Sequence, residues 1–129
     1  MVNGVINIRV FEAMDSIAQE HGVKDGEWAT AAFGRQELQS RISELRAKAR
    51  AERDNLDYTG RAFSFQKCAD LLKGLRELIG EESMAKEVLK LLARAETTRE
   101  RILLLALAIP KADEKQVEMY LRAVVDRQK

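Results

Sequence analysis

Apolar residues recur at helical spacing along most of this chain. Val10, Met14 and Ile17 repeat at intervals of three or four residues, which predicts a first helix over residues 5–20, stopped by Gly22. Similar stripes predict a short helix over residues 25–34 that Gly34 ends, and a longer helix from residue 35 into the low fifties. Four more helices are predicted over residues 64–80, 84–95 and 102–109 and from residue 113 onward. The pattern predicts an all-α protein.

Capping residues and helix-breaking residues mark the expected helix ends. Ser64 is a predicted N-cap, and Gly80 is a predicted stop. Thr97 followed by Glu100 has the spacing of a capping box, and Pro110 ends the helix that follows. Residues 55–62 contain Asn, Asp, Thr and Gly, which predicts a loop.

The length of 129 residues fits one domain, or one domain with a helical appendage. We place the domain boundary at Gly80, with a first unit over residues 1–80 and a helical segment over residues 81–129. The predicted helix over residues 102–109 is apolar nearly all round and has to be covered. It can be covered within the chain or by a symmetric copy, and we expect residues beyond Gly80 to mediate a homodimer.

Composition narrows the class of protein. Hydrophobic residues make up 46% and charged residues 33% of the chain, which is typical of a folded protein with a charged surface. A lone cysteine, Cys68, cannot form an internal disulfide and suits a reducing compartment. The N-terminal residues do not show the pattern of a secretion signal, and the most apolar stretch is too short to cross a bilayer. We therefore expect a cytoplasmic protein.

Few residues suit catalysis. His21 is the single histidine and lies at a predicted helix end, and Cys68 fits a buried position on its helix. One histidine and one cysteine are too few for a zinc site of the common kinds. The glycines lack the spacing of a phosphate-binding loop. We expect no enzyme activity, no cofactor and no metal.

The predicted helix over residues 35–50 has an unusual solvent face. With Leu38, Ile42, Leu45 and Ala49 turned inward, the opposite face carries short or uncharged side chains: Gln36, Ser40, Ser43 and Ala47. Gln39, Arg46 and Arg50 flank that face on one side, and Arg41 and Lys48 flank it on the other. A slim face between basic shoulders suits the major groove of DNA, where Gln and Ser meet base edges and Arg meets phosphate or guanine.

This helix predicts a set of DNA-contacting residues. We expect base contacts from Gln36, Gln39, Ser40 and Ser43, and phosphate contacts from Arg46 and Arg50, with Arg35 at the start of the same helix. The formal net charge of the chain is only +1, so any basic surface is local. A solvated amphipathic helix carries similar residues, and Glu37, Glu44 and Glu52 are interspersed here.

Three stretches carry a family resemblance: EWATAAFG (residues 27–34), QSRISELR (residues 39–46) and FSFQKCADLLKGLRELIG (residues 63–80). Together with their order they resemble the Cro/CI-type, or xenobiotic-response-element-type, helix-turn-helix domains of phage repressors and bacterial regulators. Ile42 and Ser43 take the place of the Ile-Ser pair of the family's recognition helix. Two alignments are open, with either Ala29 or Ala32 as the family's alanine, and the first implies a lengthened turn.

The resemblance covers residues 11–80 and implies a transcriptional regulator that binds double-stranded DNA, as a dimer in most members. We therefore hypothesise a sequence-specific, phage-repressor-like regulator. The alternative is a helical protein-interaction module, such as an adaptor or an anti-repressor, that does not contact DNA.

Overall fold

A computed structural model describes residues 5–54 and 61–128, with side chains over residues 6–54 and 63–123. The elements are β1 (Val5–Asn7), α1 (Ile8–Glu20), a 3-10 turn (Glu27–Ala29), α2 (Thr30–Asp54), β2 (Arg61–Ser64), α3 (Phe65–Ile79), α4 (Glu81–Leu92), α5 (Thr98–Ala108) and α6 (Glu114–Gln128). The protein is predominantly helical, as predicted, with a two-stranded sheet in addition. In the described part of the chain, no helix is both long enough and apolar enough to cross a membrane.

The N-terminal residues differ from the prediction. Val5–Asn7 is a strand and not the first turn of α1, and it pairs antiparallel with β2, with Ile6 opposite Phe63. Asn7 ends the strand and caps α1, because its side-chain oxygen accepts a hydrogen bond from the Arg9 amide at 2.9 Å. The helical prediction from residue 5 was wrong because Ile6 fits both a helical stripe and a buried strand.

The predicted loop over residues 55–62 is also corrected in part. Arg61 and Ala62 belong to β2, whereas residues 55–60 lie outside the described part of the chain. Pairing with β1 places these two residues in the sheet, and that long-range partner is not visible in the local composition.

The predicted caps at Ser64 and Thr97 are confirmed. Ser64 Oγ accepts a hydrogen bond from the Lys67 amide at 3.1 Å, and Thr97 Oγ1 accepts one from the Glu100 amide at 3.1 Å. Gly80 ends α3, and α4 begins directly after it and not at residue 84. Asp113 and Gln116 exchange hydrogen bonds of 2.9 and 3.2 Å at the start of α6.

Gly34 divides α2 into two parts. Its φ of 73° and ψ of 162° lie outside the helical region, in a backbone conformation that favours glycine. We call residues 27–33 the short segment and residues 35–54 the long segment. The predicted short helix, glycine break and long helix are therefore confirmed.

One hydrophobic core connects the helices on both sides of Gly80. Ile42, Leu45, Leu72 and Leu75 are buried in it, as predicted, together with Leu91, Leu104 and Leu105 from the later helices. Phe11 lies at the centre of an aromatic group, with its ring centroid 5.7 Å from that of Trp28 and 6.4 Å from that of Phe63. The division into units 1–80 and 81–129 stays a prediction.

Candidate nucleic-acid interface

The short segment is fixed on α3. Trp28 and Ala29 are buried, and Gly74 of α3 lies directly against the Trp28 backbone, where a Cβ atom would come within 2.1 Å of the Trp28 carbonyl oxygen. Lys67 Nζ donates a hydrogen bond to the Ala32 carbonyl at 2.7 Å and lies 5.1 Å from the centre of the Phe33 ring. Contacts with α3 therefore hold the chain in place just before the Gly34 break.

The long segment packs through one face and leaves the other in solvent. Ile42, Leu45 and Ala49 are buried, and Ile42 also packs against Gly26 ahead of the short segment. The predicted outward positions are exposed: Gln36, Ser40, Ser43 and Ala47. The uncharged face predicted from the sequence is therefore present and accessible on the described surface.

Six of the seven predicted contact residues are exposed: Arg35, Gln36, Gln39, Ser40, Ser43 and Arg50. Among these, Ser40 Oγ donates a hydrogen bond to the Glu37 carbonyl at 3.1 Å. Arg46 is the seventh, and its side chain is about three-quarters buried, with 28% of its surface exposed.

Arg46 bridges two carboxylates from other parts of the chain. Its Nε and Nη2 atoms donate to Asp15 of α1, each at 2.9 Å, and Nη2 also donates to Asp25 at 2.6 Å. These hydrogen bonds, first from Asp15 and then from Asp25, raise the pKa of Arg46. The hydrogen bond from the Arg46 guanidinium in turn lowers the pKa of Asp25.

This bridge is not predicted by the sequence. Asp15 and Asp25 lie 31 and 21 positions before Arg46, and the three residues come from different elements. Helical spacing predicts the side of the long segment on which Arg46 lies but not the carboxylates that meet it there. The Arg46 guanidinium, which was predicted to contact phosphate, thus forms ion pairs within the protein.

The opposite shoulder of the long segment is largely neutralised. Arg41 lies 3.5 Å from Glu37 and 3.5 Å from Glu44, and Lys48 lies 3.3 Å from Glu44. These exposed pairs contribute little stability, but they cancel charge along this side. A groove of about 320 Å³ runs between these residues and the start of α3, with Phe33 and Phe63 in its lining.

Arg35 and Arg50 have no ion-pair partner among the residues that the structure describes. Within the described residues, neither arginine has a carboxylate oxygen within 4.0 Å, whereas Arg53 lies 3.3 Å from Glu12. Arg50 borders a cleft of about 820 Å³ between α1, the long segment and α4. The exposed, uncharged face is therefore flanked by an arginine near each end of one shoulder.

The candidate catalytic residues are not grouped. His21 Nε2 lies within hydrogen-bond distance of Glu87 Oε1, at 3.2 Å, and Cys68 is buried in the core. Burial raises the pKa of the Cys68 thiol to about 12, so the thiolate form is rare at neutral pH. Over the ranges that the structure describes, no group of three or more His, Cys, Asp or Glu side chains could hold a metal ion. The expectation of no enzyme activity stays a prediction.

The later helices expose apolar side chains. On α5, Leu104, Leu105 and Ala108 are buried, whereas Ile102 keeps 50% of its surface exposed. Met119 of α6 is 65% exposed. The predicted apolar helix is thus covered on one side only by the described part of this chain.

No protein-family model, curated protein or solved structure matches this chain, so its similarity to the phage-repressor helix-turn-helix domains stays a prediction from the three stretches quoted above.

Proposed function

We propose that this protein is a sequence-specific DNA-binding transcriptional regulator of the phage-repressor type, with its long segment in the major groove. The observation that carries the proposal is the exposed, uncharged face of residues 36–47, which follows a short helix and a glycine break. A helix-turn-helix uses this arrangement, in which the first helix is fixed and the second enters the groove. Contacts between the short segment and α3 supply the fixed part.

The exposed polar side chains suit two roles. Gln36, Gln39, Ser40 and Ser43 lie in the N-terminal half of the long segment, where recognition helices make most of their base contacts. Gln pairs with adenine through two hydrogen bonds, and Ser accepts or donates to several bases. Arg35 and Arg50 are exposed on the shoulder beside them and are suited to phosphate.

A homodimer completes the proposal. The exposed side chains of Ile102 and Met119 favour a symmetric contact through the helices beyond Gly80. A two-fold dimer presents two long segments to half-sites about 34 Å apart along the duplex.

A helical protein-interaction module is the second candidate, and the ion pairs of α2 favour it. Four of the six cations of the long segment, Arg41, Arg46, Lys48 and Arg53, have carboxylate partners within the chain. A helix whose cations are paired in this way offers little free positive charge to phosphate, so it suits a protein partner better than a nucleic acid.

Binding to a random-sequence duplex at several salt concentrations separates the two candidates. A regulator that contacts phosphate through Arg35 and Arg50 releases about two counterions per protomer, so log K against log salt has a slope of roughly −2 per protomer. Fluorescence anisotropy with a labelled duplex measures this slope. Absence of binding at low salt would contradict the regulator and favour the interaction module.

A further inference from the structure

We propose that Arg46 is a positioning residue that fixes the long segment through Asp15 and Asp25, and that it does not contact phosphate. This inference rests on the proposed DNA-binding function and assigns a different role to one of its predicted contact residues. It also assigns Asp25, which precedes the short segment, to the same bridge.

The bridge joins three separate parts of the fold. Asp15 lies on α1, Asp25 precedes the short segment, and Arg46 lies midway along the long segment. The two hydrogen bonds to Asp15, at 2.9 Å each, form a planar two-point contact that fixes the direction of the guanidinium. The third hydrogen bond, to Asp25, ties the same guanidinium to the chain that leads into the short segment.

The net charge of the bridge opposes a phosphate contact. One guanidinium between two carboxylates has a net charge of −1, and 59% of the Asp25 side chain is exposed. Three of the donor hydrogen positions of Arg46 are used within the protein. A phosphate that approached Arg46 would therefore meet a net negative surface, whereas Arg35 and Arg50 offer unpaired charge on the described surface.

The bridge also limits rotation of the long segment about its axis, in addition to the buried stripe of Ile42, Leu45 and Ala49. Gln39 lies two helical turns before Arg46 on the same side of the long segment. Rotation of the long segment about its axis would move Gln39, Ser40 and Ser43 relative to the groove. Arg46 restricts that rotation because it joins the long segment to α1 and to Asp25.

Replacing Asp25 tests the inference, because the two roles of Arg46 predict opposite signs. If Arg46 positions the segment, Asp25→Asn lowers affinity for a selected preferred duplex by about tenfold and leaves random-sequence affinity equal or slightly higher. If Arg46 contacts phosphate, Asp25→Asn removes a competing carboxylate and strengthens binding to both duplexes. Glu77→Gln, which removes one exposed carboxylate on α3, is the matched control for charge. It should leave the ratio of the preferred-duplex affinity to the random-sequence affinity unchanged.

Salt dependence supplies a second readout that a structural change alone would not move. Arg50→Gln should reduce the salt slope by about one per protomer, and Arg46→Gln should leave the slope at the wild-type value while lowering preferred-site affinity. The double variant Asp25→Asn/Arg46→Gln should bind no more weakly than Arg46→Gln, because Arg46→Gln alone already removes the hydrogen bonds to both Asp15 and Asp25. If Arg46→Gln does not fold, as judged by its circular dichroism and melting, the partly exposed Asp25→Asn variant still decides the outcome.

The outcomes separate the inference from the function on which it depends. Loss of one unit of slope in Arg46→Gln, or stronger binding of Asp25→Asn to the preferred duplex, would overturn the positioning role while DNA binding stands. Failure of the wild-type protein to bind any duplex at low salt would overturn both. An unchanged slope in Arg46→Gln, with a preferred-site loss in Asp25→Asn, would support the positioning role.

Discussion

The Asn7 side-chain amide donates hydrogen bonds to Glu100 Oε2 at 3.0 Å and to the Arg94 carbonyl at 3.1 Å. Asn7 caps α1, whereas Arg94 lies in the turn after α4 and Glu100 lies in the first turn of α5. Glu100 Oε2 also accepts a hydrogen bond from the Glu96 amide at 3.3 Å. A buried polar contact thus joins the first residues of the fold to the helices beyond Gly80.

Glu100 should make stability depend on pH. Burial is the main cause that raises the pKa of Glu100 above its ordinary value of 4.5, because desolvation disfavours the carboxylate. The folded state therefore binds the proton more tightly than the unfolded state, so the wild-type protein loses stability as pH rises through the window above 4.5.

The variant Glu100→Gln should lack this component. We expect the unfolding free energy of wild type, measured relative to that of Glu100→Gln, to decrease as the pH is raised through that window. Urea unfolding of both proteins across this range measures the difference, and carboxylates common to both cancel. A difference that is constant with pH would contradict the buried position of Glu100.

Gly74 should be required for the contact between α3 and the short segment. A Cβ atom there would lie 2.1 Å from the Trp28 carbonyl oxygen, so Gly74→Ala should destabilise the fold by roughly 1–3 kcal/mol. In a helix without this contact, the same change stabilises by about 1 kcal/mol. The sign of the change in unfolding free energy for Gly74→Ala, measured by thermal or urea unfolding, therefore separates the two cases. The control Lys73→Ala changes an exposed neighbour and should alter stability by less than about 0.5 kcal/mol.

The proposed dimer should depend on Ile102. This side chain is 50% exposed on α5, so Ile102→Lys should preserve folding while placing a charge in the proposed contact. We expect wild type to sediment as a dimer at micromolar concentration and the variant as a monomer. Leu78→Lys is the matched control, since Leu78 is 46% exposed on α3 and should leave the dimer intact. A monomeric wild-type protein would show that the dimer proposal is wrong.

Local patterns predicted most of the helices because their causes are local. The stripe Ile42, Leu45 and Ala49 defines the inward face of the long segment, and Ser64 and Thr97 cap their own helices. The Gly34 break follows from a backbone conformation that glycine adopts readily. For the same reason, the exposure of Gln36, Ser40 and Ser43 could be predicted.

Contacts between distant parts of the chain could not be predicted in this way. The pairing of Ile6 with Phe63 turns an apparent helical turn into a strand, and no local signal marks that partner. The ion pairs of Arg46 likewise depend on how α1 packs beside the long segment. The sequence therefore predicts which residues face outward, but not which of the charged ones form ion pairs within the protein.

The most direct test of the proposed function is the affinity of Gln39→Ala for a duplex chosen by selection with the wild-type protein. Because Gln39 lies on the outward side of the long segment, its loss should weaken binding to the preferred site by roughly 1–3 kcal/mol and leave random-sequence binding nearly unchanged. Gln66→Ala, which removes an exposed amide on α3, should bind both duplexes like wild type. Equal affinities of Gln39→Ala and wild type on every duplex would contradict base reading by Gln39, and failure of selection to yield any bound duplex would contradict the regulator itself.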